Sequence, residues 1–296
     1  MEARVTTATL GVIGGSGIYD LPGLKDVRDL AITSPWGSAS ASLREGWISE
    51  TRVLFLPRHG AGHRLAPSDI DYRANIDVLK RAGVTDLVSL SACGSYREDL
   101  PPGTFVLVDQ FIDRTFRRET SFFGAGCVAH VGFSDPVAPR LVERLRQAAE
   151  AEGVPHVVGG TYVCMEGPQF STRAESVAYK AMGASVVGMT NMPEAKLARE
   201  AEISYASVAM VTDYDAWRPH EGGAEVPAIL AVMLANGDAA SRLVARLAVD
   251  FPAEHEPCPI GSDRALEFAL VTAPSKRDPA LVAKLDAVAG RVLGAA

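Results

Sequence analysis

Two carboxylates stand one residue apart in Ala209-Met210-Val211-Thr212-Asp213-Tyr214-Asp215, at the end of an apolar run from Ile203 to Val211. The run reads as a buried strand, and on an extended backbone positions i and i+2 point to the same side. Asp213 and Asp215 could then face one ligand together, because open α/β sheets bind ligands outside the carboxyl ends of their strands. The competing reading is a solvated turn after a strand. The rest of the chain decides between the two.

Other strand ends carry groups suited to an anion. Thr7 to Ile13 reads as a buried strand running into Gly14-Gly15-Ser16-Gly17, a turn whose backbone N–H groups can approach an oxyanion closely. It is not a P-loop, since Ile18 rather than Lys follows Gly17, nor a dinucleotide fingerprint, since Asp20 stands where a third glycine is needed. Thr51 to Leu56 pairs with Ser38 to Ile48 and ends in Pro57-Arg58-His59-Gly60, where an arginine fork beside a histidine forms a cationic corner. His59 and His63 have no H-E-x-x-H frame and no third ligand, so no metal is expected. Leu87 to Leu90 is a strand followed by a small-residue turn, Ser91 to Ser95. Ala184 to Gly188 is another, followed by Met189-Thr190 at a helix start where a hydroxyl can cap the helix or hold an anion with it.

The elements between these ends alternate. Helices are expected over Pro67 to Gly83, Pro139 to Ala151, Thr172 to about Gly183 with a Thr172/Glu175 capping box, Val226 into the 240s, and Pro279 to Leu293 with Asp278 as N-cap. Strands are expected over Thr104 to Asp109 and Val157 to Met165. Phe111 to Phe133 reads as irregular, with Arg114, Arg117 and Arg118 as a solvated cluster and His130 as a structural histidine by default. Strands and helices intermix without a repeat or long linker, which predicts one α/β domain: a mixed central β-sheet flanked by helices.

Composition narrows the function classes. The 296 residues are 47% hydrophobic and 22% charged, ordinary for a globular chain, and the formal net charge of -7 argues against a broad nucleic-acid or membrane surface. The four cysteines lack C-x-x-C spacing, and neither a leader nor an 18-residue apolar stretch is present, so a reducing cytoplasmic setting is expected. If one crevice gathers these strand ends, one part binds an anion and another bears carboxylates. That division suits phosphate attacking a carbon while a leaving group at the other end gains a proton.

The segments G-G-S-G, P-R-H-G, Y-R-A-N-I, A-C-G-S, D-Q-F-I-D-R-T, E-G-P-Q-F-S-T-R-A-E, M-T-N-M-P-E-A and T-D-Y-D, in that order, resemble the methylthioadenosine phosphorylase branch of the trimeric purine nucleoside phosphorylase family. The likeness runs from about Gly11 to the helix after Val226, so residues 1–252 are expected to form a nucleoside phosphorylase-like domain and 253–296 an extension with a terminal helix packed on it. The resemblance implies phosphorolysis of S-methyl-5'-thioadenosine to adenine and 5-methylthioribose 1-phosphate, with inorganic phosphate as co-substrate and no metal or organic cofactor. It places Ser16, Arg58, His59, Ala92 and Thr190 at phosphate, Met189 by the ribose, Phe170 over sugar or base, and Ser171 at the base region. Val226 and Ile229 would accept the methylthio group, and His130 would lie near the neighbouring subunit's 5' group in a homotrimer, or in a hexamer. Asp213 would protonate purine N7 and Asp215 would accept from a 6-amino group. The alternatives are a methylthioinosine or inosine/guanosine phosphorylase, a hydrolase that needs no phosphate, and a nucleoside-binding module without turnover.

Overall fold

A computed structural model of the chain describes residues 6–15, 21–218 and 226–294, with only the backbone described for 226–228. The first strand, β1 (Leu10–Gly14), is buried along its whole length. The next, β2 (Lys25–Leu30), is polar and exposed; its charged residues suit the sheet edge it occupies and hid it from a hydrophobic-pattern reading. The strands β3 (Leu43–Ile48) and β4 (Thr51–Pro57) form the expected hairpin. The predicted helix from Pro67 divides: a single tight turn, Pro67–Asp69, precedes α1 (Tyr72–Arg81), which starts where the Asp71 carboxylate accepts from the Ala74 N–H at 2.9 Å.

The small-residue turn expected after Leu90 is instead strand, because β5 (Asp86–Ser95) runs straight through it. Further on, β6 (Phe105–Val108) is followed by β7 (Gln110–Arg114), a strand inside the segment expected to be irregular. Helix α2 (Pro139–Ala151) has the predicted bounds, and the predicted strand after it splits into β8 (His156–Val158) and β9 (Thr161–Met165). The capping box of Thr172 and Glu175 opens α3 (Arg173–Ala181). Then come β10 (Val186–Gly188), α4 (Asn191–Glu200) and β11 (Ser204–Tyr214), which carries Asp213 within the strand. The long α5 (Val226–Val249) follows, and the predicted terminal helix breaks at Leu285 into α6 (Pro279–Lys284) and α7 (Asp286–Leu293), with Asp278 capping as expected.

One mixed sheet joins these strands in the order β2-β3-β4-β1-β5-β10-β9-β7, with β11 paired to β5 and β6, and β8 to β6. The strand β5 is its pivot. On one edge it pairs in parallel with β11 from Asp86 to Ser95. On the other it pairs with β1 only as far as Ser89, and with β10 only from Gly94. Among the described residues, Leu90 to Cys93 therefore have no strand partner on that edge. The sheet splits there, and a split of this kind is where an α/β fold leaves a crevice.

Helices pack on the sheet and on one another, α1 against α4 and α7, and α2 against α5. Residues 253–294 share this core: Leu285, Val288 and Ala289 are buried in the same cluster as β1, β4 and β5. No helix among the described residues is long and apolar enough to cross a membrane.

Candidate active site

A cavity of about 820 Å³ opens at the sheet split. Its lining includes Gly15 after β1, Arg58 and His59 after β4, Leu90 to Gly94 of β5, Met189 and Thr190 after β10, and Asp213 and Asp215 of β11. Phe170 and Pro168 come from the segment before α3; Ile229, Leu230, Met233 and Asn236 come from α5.

The anion corner is less free than the sequence suggests. Arg58 is 1% exposed and its Nε and Nη2 meet the Glu194 carboxylate at 2.8 and 3.2 Å. Nη2 also donates to the Ser89 hydroxyl at 2.7 Å and Nη1 to the Leu90 carbonyl at 3.0 Å. The expected bidentate fork toward a ligand is thus turned on Glu194, because a charge this deeply buried needs a partner. His59 is buried, stacks on His63, and places Nδ1 2.9 Å from the Leu65 carbonyl oxygen. That oxygen only accepts, so Nδ1 carries the proton of the neutral ring and Nε2 is left as an acceptor. Burial pushes the His59 imidazole down to about 4, which keeps it neutral at ordinary pH.

Thr190 is buried, its hydroxyl 3.3 Å from that of Ser91, which in turn lies 3.1 Å from the Tyr162 hydroxyl. Gly188 is the residue that lets this chain of hydroxyls form, because a Cβ there would overlap the Tyr162 phenol. Met189 is held from behind by Arg118, expected to be solvated but with a side chain that is 1% exposed. Its Nη1 donates to the carbonyls of Met189 and Met192 at 2.6 Å each, and its Nη2 to that of Glu166 at 2.8 Å. The Met192 carbonyl is available because Met192, at φ -117° and ψ 132°, interrupts the helical bonding of α4.

At the other end, the register of β11 against β5 shifts between Val211 and Asp213. The irregularity brings Thr212, Asp213 and Asp215 all onto the cavity, where strict alternation would turn Thr212 away. The carbonyl of Val211 accepts from Asn236 at 3.0 Å, which ties α5 to this bend. Gly94 sits between the two carboxylates: a Cβ on it would lie 3.2 Å from Asp215 Cβ and 3.5 Å from Asp213 Oδ2. Burial raises the Asp213 carboxyl above the usual range, with the charge of Asp215 adding to the rise and the Thr212 hydroxyl, 2.7 Å from Oδ1, opposing it. Asp215 Oδ2 instead accepts from the Tyr96 hydroxyl at 3.0 Å. The two carboxylates are therefore unlike each other, one a candidate proton donor and the other an acceptor.

Of the residues singled out in the sequence, Arg58, His59, Ala92, Phe170, Met189, Thr190, Asp213, Asp215 and Ile229 meet on one cavity. Ser171 stands behind the wall, donating to Met165 Sδ at 3.3 Å. His130 is exposed and away from this chain's cavity; its N–H donates to the Ala269 carbonyl at 2.9 Å. Ser16 and the side chain of Val226 lie outside the described residues. Sequence reading did not single out Thr212, Glu194, Tyr96, Met233 or Asn236. The first two lie inside motifs it used, whereas Tyr96 and Asn236 act through pairings between distant segments that no local pattern announces. Among the described residues no group of three or more His, Cys, Asp or Glu is arranged to hold a metal ion.

Comparison with known proteins gives a consistent result. A model of the phosphorylase superfamily matches residues 9–250. The S-methyl-5'-thioadenosine phosphorylase of Bradyrhizobium diazoefficiens is 68% identical over 289 residues, covering 98% of this chain and 99% of that protein. The crystal structure of a methylthioadenosine phosphorylase from an antarctic soil metagenomic library superposes with a TM-score of 0.87 at 41% identity, over 96% of this chain and 99% of that one. The Schistosoma mansoni methylthioadenosine phosphorylase in complex with adenine gives a TM-score of 0.78 at 38% identity, over 82% and 91%.

Proposed function

The chain belongs to the phosphorylase superfamily, and from that premise we propose that it cleaves S-methyl-5'-thioadenosine with inorganic phosphate, giving adenine and 5-methylthioribose 1-phosphate. The observation that carries this reading is the pairing, across one cavity, of a carboxyl raised by burial, Asp213, with a polar corner at the sheet split.

Phosphate sits at that corner. The Thr190 hydroxyl and the backbone along the unpaired edge at Ala92 donate to it, with Gly15 closing the far side. Neutral His59 accepts through Nε2 the hydrogen of a hydrogenphosphate, and Arg58, already held by Glu194, contributes through Nη1 and its field. The nucleoside lies along the cavity with ribose by Met189, Phe170 across the mouth and the methylthio group against Ile229, Leu230 and Met233. An apolar pocket at that place disfavours a 5'-hydroxyl, which would be buried without a partner.

Breaking the N9–C1' bond puts positive charge on the sugar and negative charge on the purine. Asp213 donates its proton to N7 as that charge develops, a role for which a carboxyl must stay protonated near neutral pH. Asp215 accepts from the 6-amino group, directly or through water, which favours adenine over a 6-oxo purine. Phosphate oxygen then bonds to C1' and the protonated purine leaves. No cofactor enters this scheme.

The working unit is a homotrimer, with His130 and its loop facing the neighbouring subunit's 5' group, acting in the cytoplasm. Residues 1–252 form the catalytic domain and 253–296 an extension of it. The test is adenine release from S-methyl-5'-thioadenosine with and without phosphate. Release is expected only with phosphate; equal release without it would point to a hydrolase, and binding without release to a nucleoside-binding module.

A further inference from the structure

Tyr96 follows directly on β5, and its side chain is 1% exposed. Its ring packs in a small cluster with Val163, Met165, Tyr179, Ala184 and Val187, against which Met189 and Trp217 also lie. Its hydroxyl leaves that cluster to meet Asp215 Oδ2 at 3.0 Å. Tyr96 does not line the cavity; its ring reaches it through Met165, Val187 and Met189, and its hydroxyl through Asp215.

The backbone fixes this contact. Tyr96 N–H donates to the Ser185 carbonyl at 2.9 Å, anchoring it beside β10. The Ser95 carbonyl accepts from the Asp215 N–H at 3.2 Å and from Trp217 Nε1 at 2.8 Å, anchoring the far side of β11 to the same point. The phenol and the carboxylate are thus set against each other by both strands. A phenol hydroxyl has one hydrogen, and Tyr96 spends it on Oδ2, which leaves Oδ1 as the face of Asp215 that a ligand can reach. The second carboxyl, Asp213, has no such donor from the tyrosine; its described side-chain donor is Thr212, which also lies 3.1 Å from the Cys93 carbonyl.

Of the two carboxyls, Asp215 is the one that a phenol holds, and Asp213 is met by the Thr212 hydroxyl instead. We propose that Tyr96 is a positioning and specificity-determining residue: by donating to Oδ2 it fixes the Asp215 carboxylate as the acceptor for the base's 6-amino group, beside the acid Asp213. This rests on the reading of the site as a purine nucleoside phosphorylase. Without the hydroxyl, the Asp215 carboxylate loses the contact that holds it and is free to turn from position 6, so the 6-amino group loses its fixed acceptor and a 6-oxo purine is no longer disfavoured to the same degree. The base preference is then set by one phenol outside the substrate's reach.

The experiment is steady-state phosphorolysis of S-methyl-5'-thioadenosine and S-methyl-5'-thioinosine by wild type, Tyr96→Phe and Tyr96→Leu, each also in an Asp215→Asn background. Phenylalanine keeps the ring and leucine changes the packing, but both remove the hydroxyl. Both single variants are expected to lower the kcat/KM ratio of the adenine over the hypoxanthine nucleoside roughly tenfold, the worth of one hydrogen bond to a charged group. The loss should fall on kcat for the adenine nucleoside, with KM for phosphate unchanged. In the Asp215→Asn background, loss of the hydroxyl should change the ratio no further, since Tyr96 acts through that carboxylate. An unchanged ratio in the folded single variants, or the same drop with and without Asp215, overturns the role of Tyr96 while leaving the proposed reaction standing. Absence of phosphate-dependent turnover in the wild type overturns both.

Discussion

At the scale of single residues, the assignment that bears most weight is Asp213 as the acid. Replacing it with asparagine keeps the shape and the hydrogen-bonding edge but removes the transferable proton. Asp213→Asn is expected to lower kcat by ~10²–10⁴-fold with little change in KM for phosphate, measured by adenine release. The pH dependence follows from the direction of the shift. A carboxyl raised by burial keeps its proton further into the neutral range than a free aspartate, and activity that needs this proton declines as pH rises through the raised value. The alkaline decline in kcat of the wild type should therefore be absent from what remains in Asp213→Asn; an unchanged decline would assign it to another group. The carboxylate pair was legible in the sequence because a buried strand that ends in D-x-D is a local pattern. The division of labour between them was not, because it depends on Tyr96, which lies 119 positions from Asp215 in sequence. Arg118 shows the converse: a cation in a polar loop reads as solvated, and the turned-in carbonyls of Met189, Met192 and Glu166, with the Glu166 carboxylate 3.6 Å from Nε, explain why its side chain is buried.

At the scale of elements, the cavity exists because β5 changes partners along its length, from β1 to β10 on one edge, while β11 stays beside it on the other. Sequence reading found the strands β1, β4, β5, β10 and β11 but ended β5 and β11 too early, and it did not foresee the change of partners. Ser91 to Ser95 looked like a turn because its residues are small, but Gly94 is small for a packing reason, since it leaves room for both aspartates; Gly188 of β10 likewise leaves room for Tyr162. This gives a test at the level of the strand. In Gly188→Ala the new methyl meets a fully buried tyrosine whose hydroxyl supports Ser91 and, through it, Thr190. Overpacking of this kind costs about 1–3 kcal/mol, so the variant is expected to melt several degrees below wild type. Its KM for phosphate should rise more than its KM for the nucleoside, because the displaced hydroxyls belong to the phosphate end. A rise confined to the nucleoside would place Thr190 outside the phosphate site.

At the scale of the whole molecule, residues 253–294 are built into the core although no family motif announced them. The backbone of Ala253 and His255 bonds to Ala8 and Thr6 beside β1, Arg291 grips Glu202 at 2.6 and 2.8 Å, and Arg81 of α1 pairs with Asp286 of α7. The most distinctive tie is His255, whose ring stands between Asp263 of the extension and Asp86 at the start of β5, with Nδ1 2.9 Å from Asp86. These carboxylates, Asp263 first and then Asp86, raise the imidazole to about 9 against the opposing effect of burial. A histidine whose folded value lies above its unfolded value of ~6.5 stabilises the fold fully below that value, and the contribution is lost as pH rises through the folded one. The clasp is thus intact at pH 6, weakening at pH 8 and gone by about pH 10. His255→Gln should melt roughly 2–4 °C below wild type near pH 6, about what 1 kcal/mol is worth in a chain of this size, and the two melting curves should converge by pH 10. A gap that stays constant across that range would make His255 a packing residue and leave the attachment of the extension to Arg291, Arg81 and the buried Leu285, Val288 and Ala289. Since Asp86 begins the strand that carries Ala92 and Gly94, the kcat of His255→Gln relative to wild type at each pH of the same range, below the melting temperature, reports whether loosening this clasp reaches the site. The ratio should stay near one, because β5 is held along its length by β11 whatever the extension does.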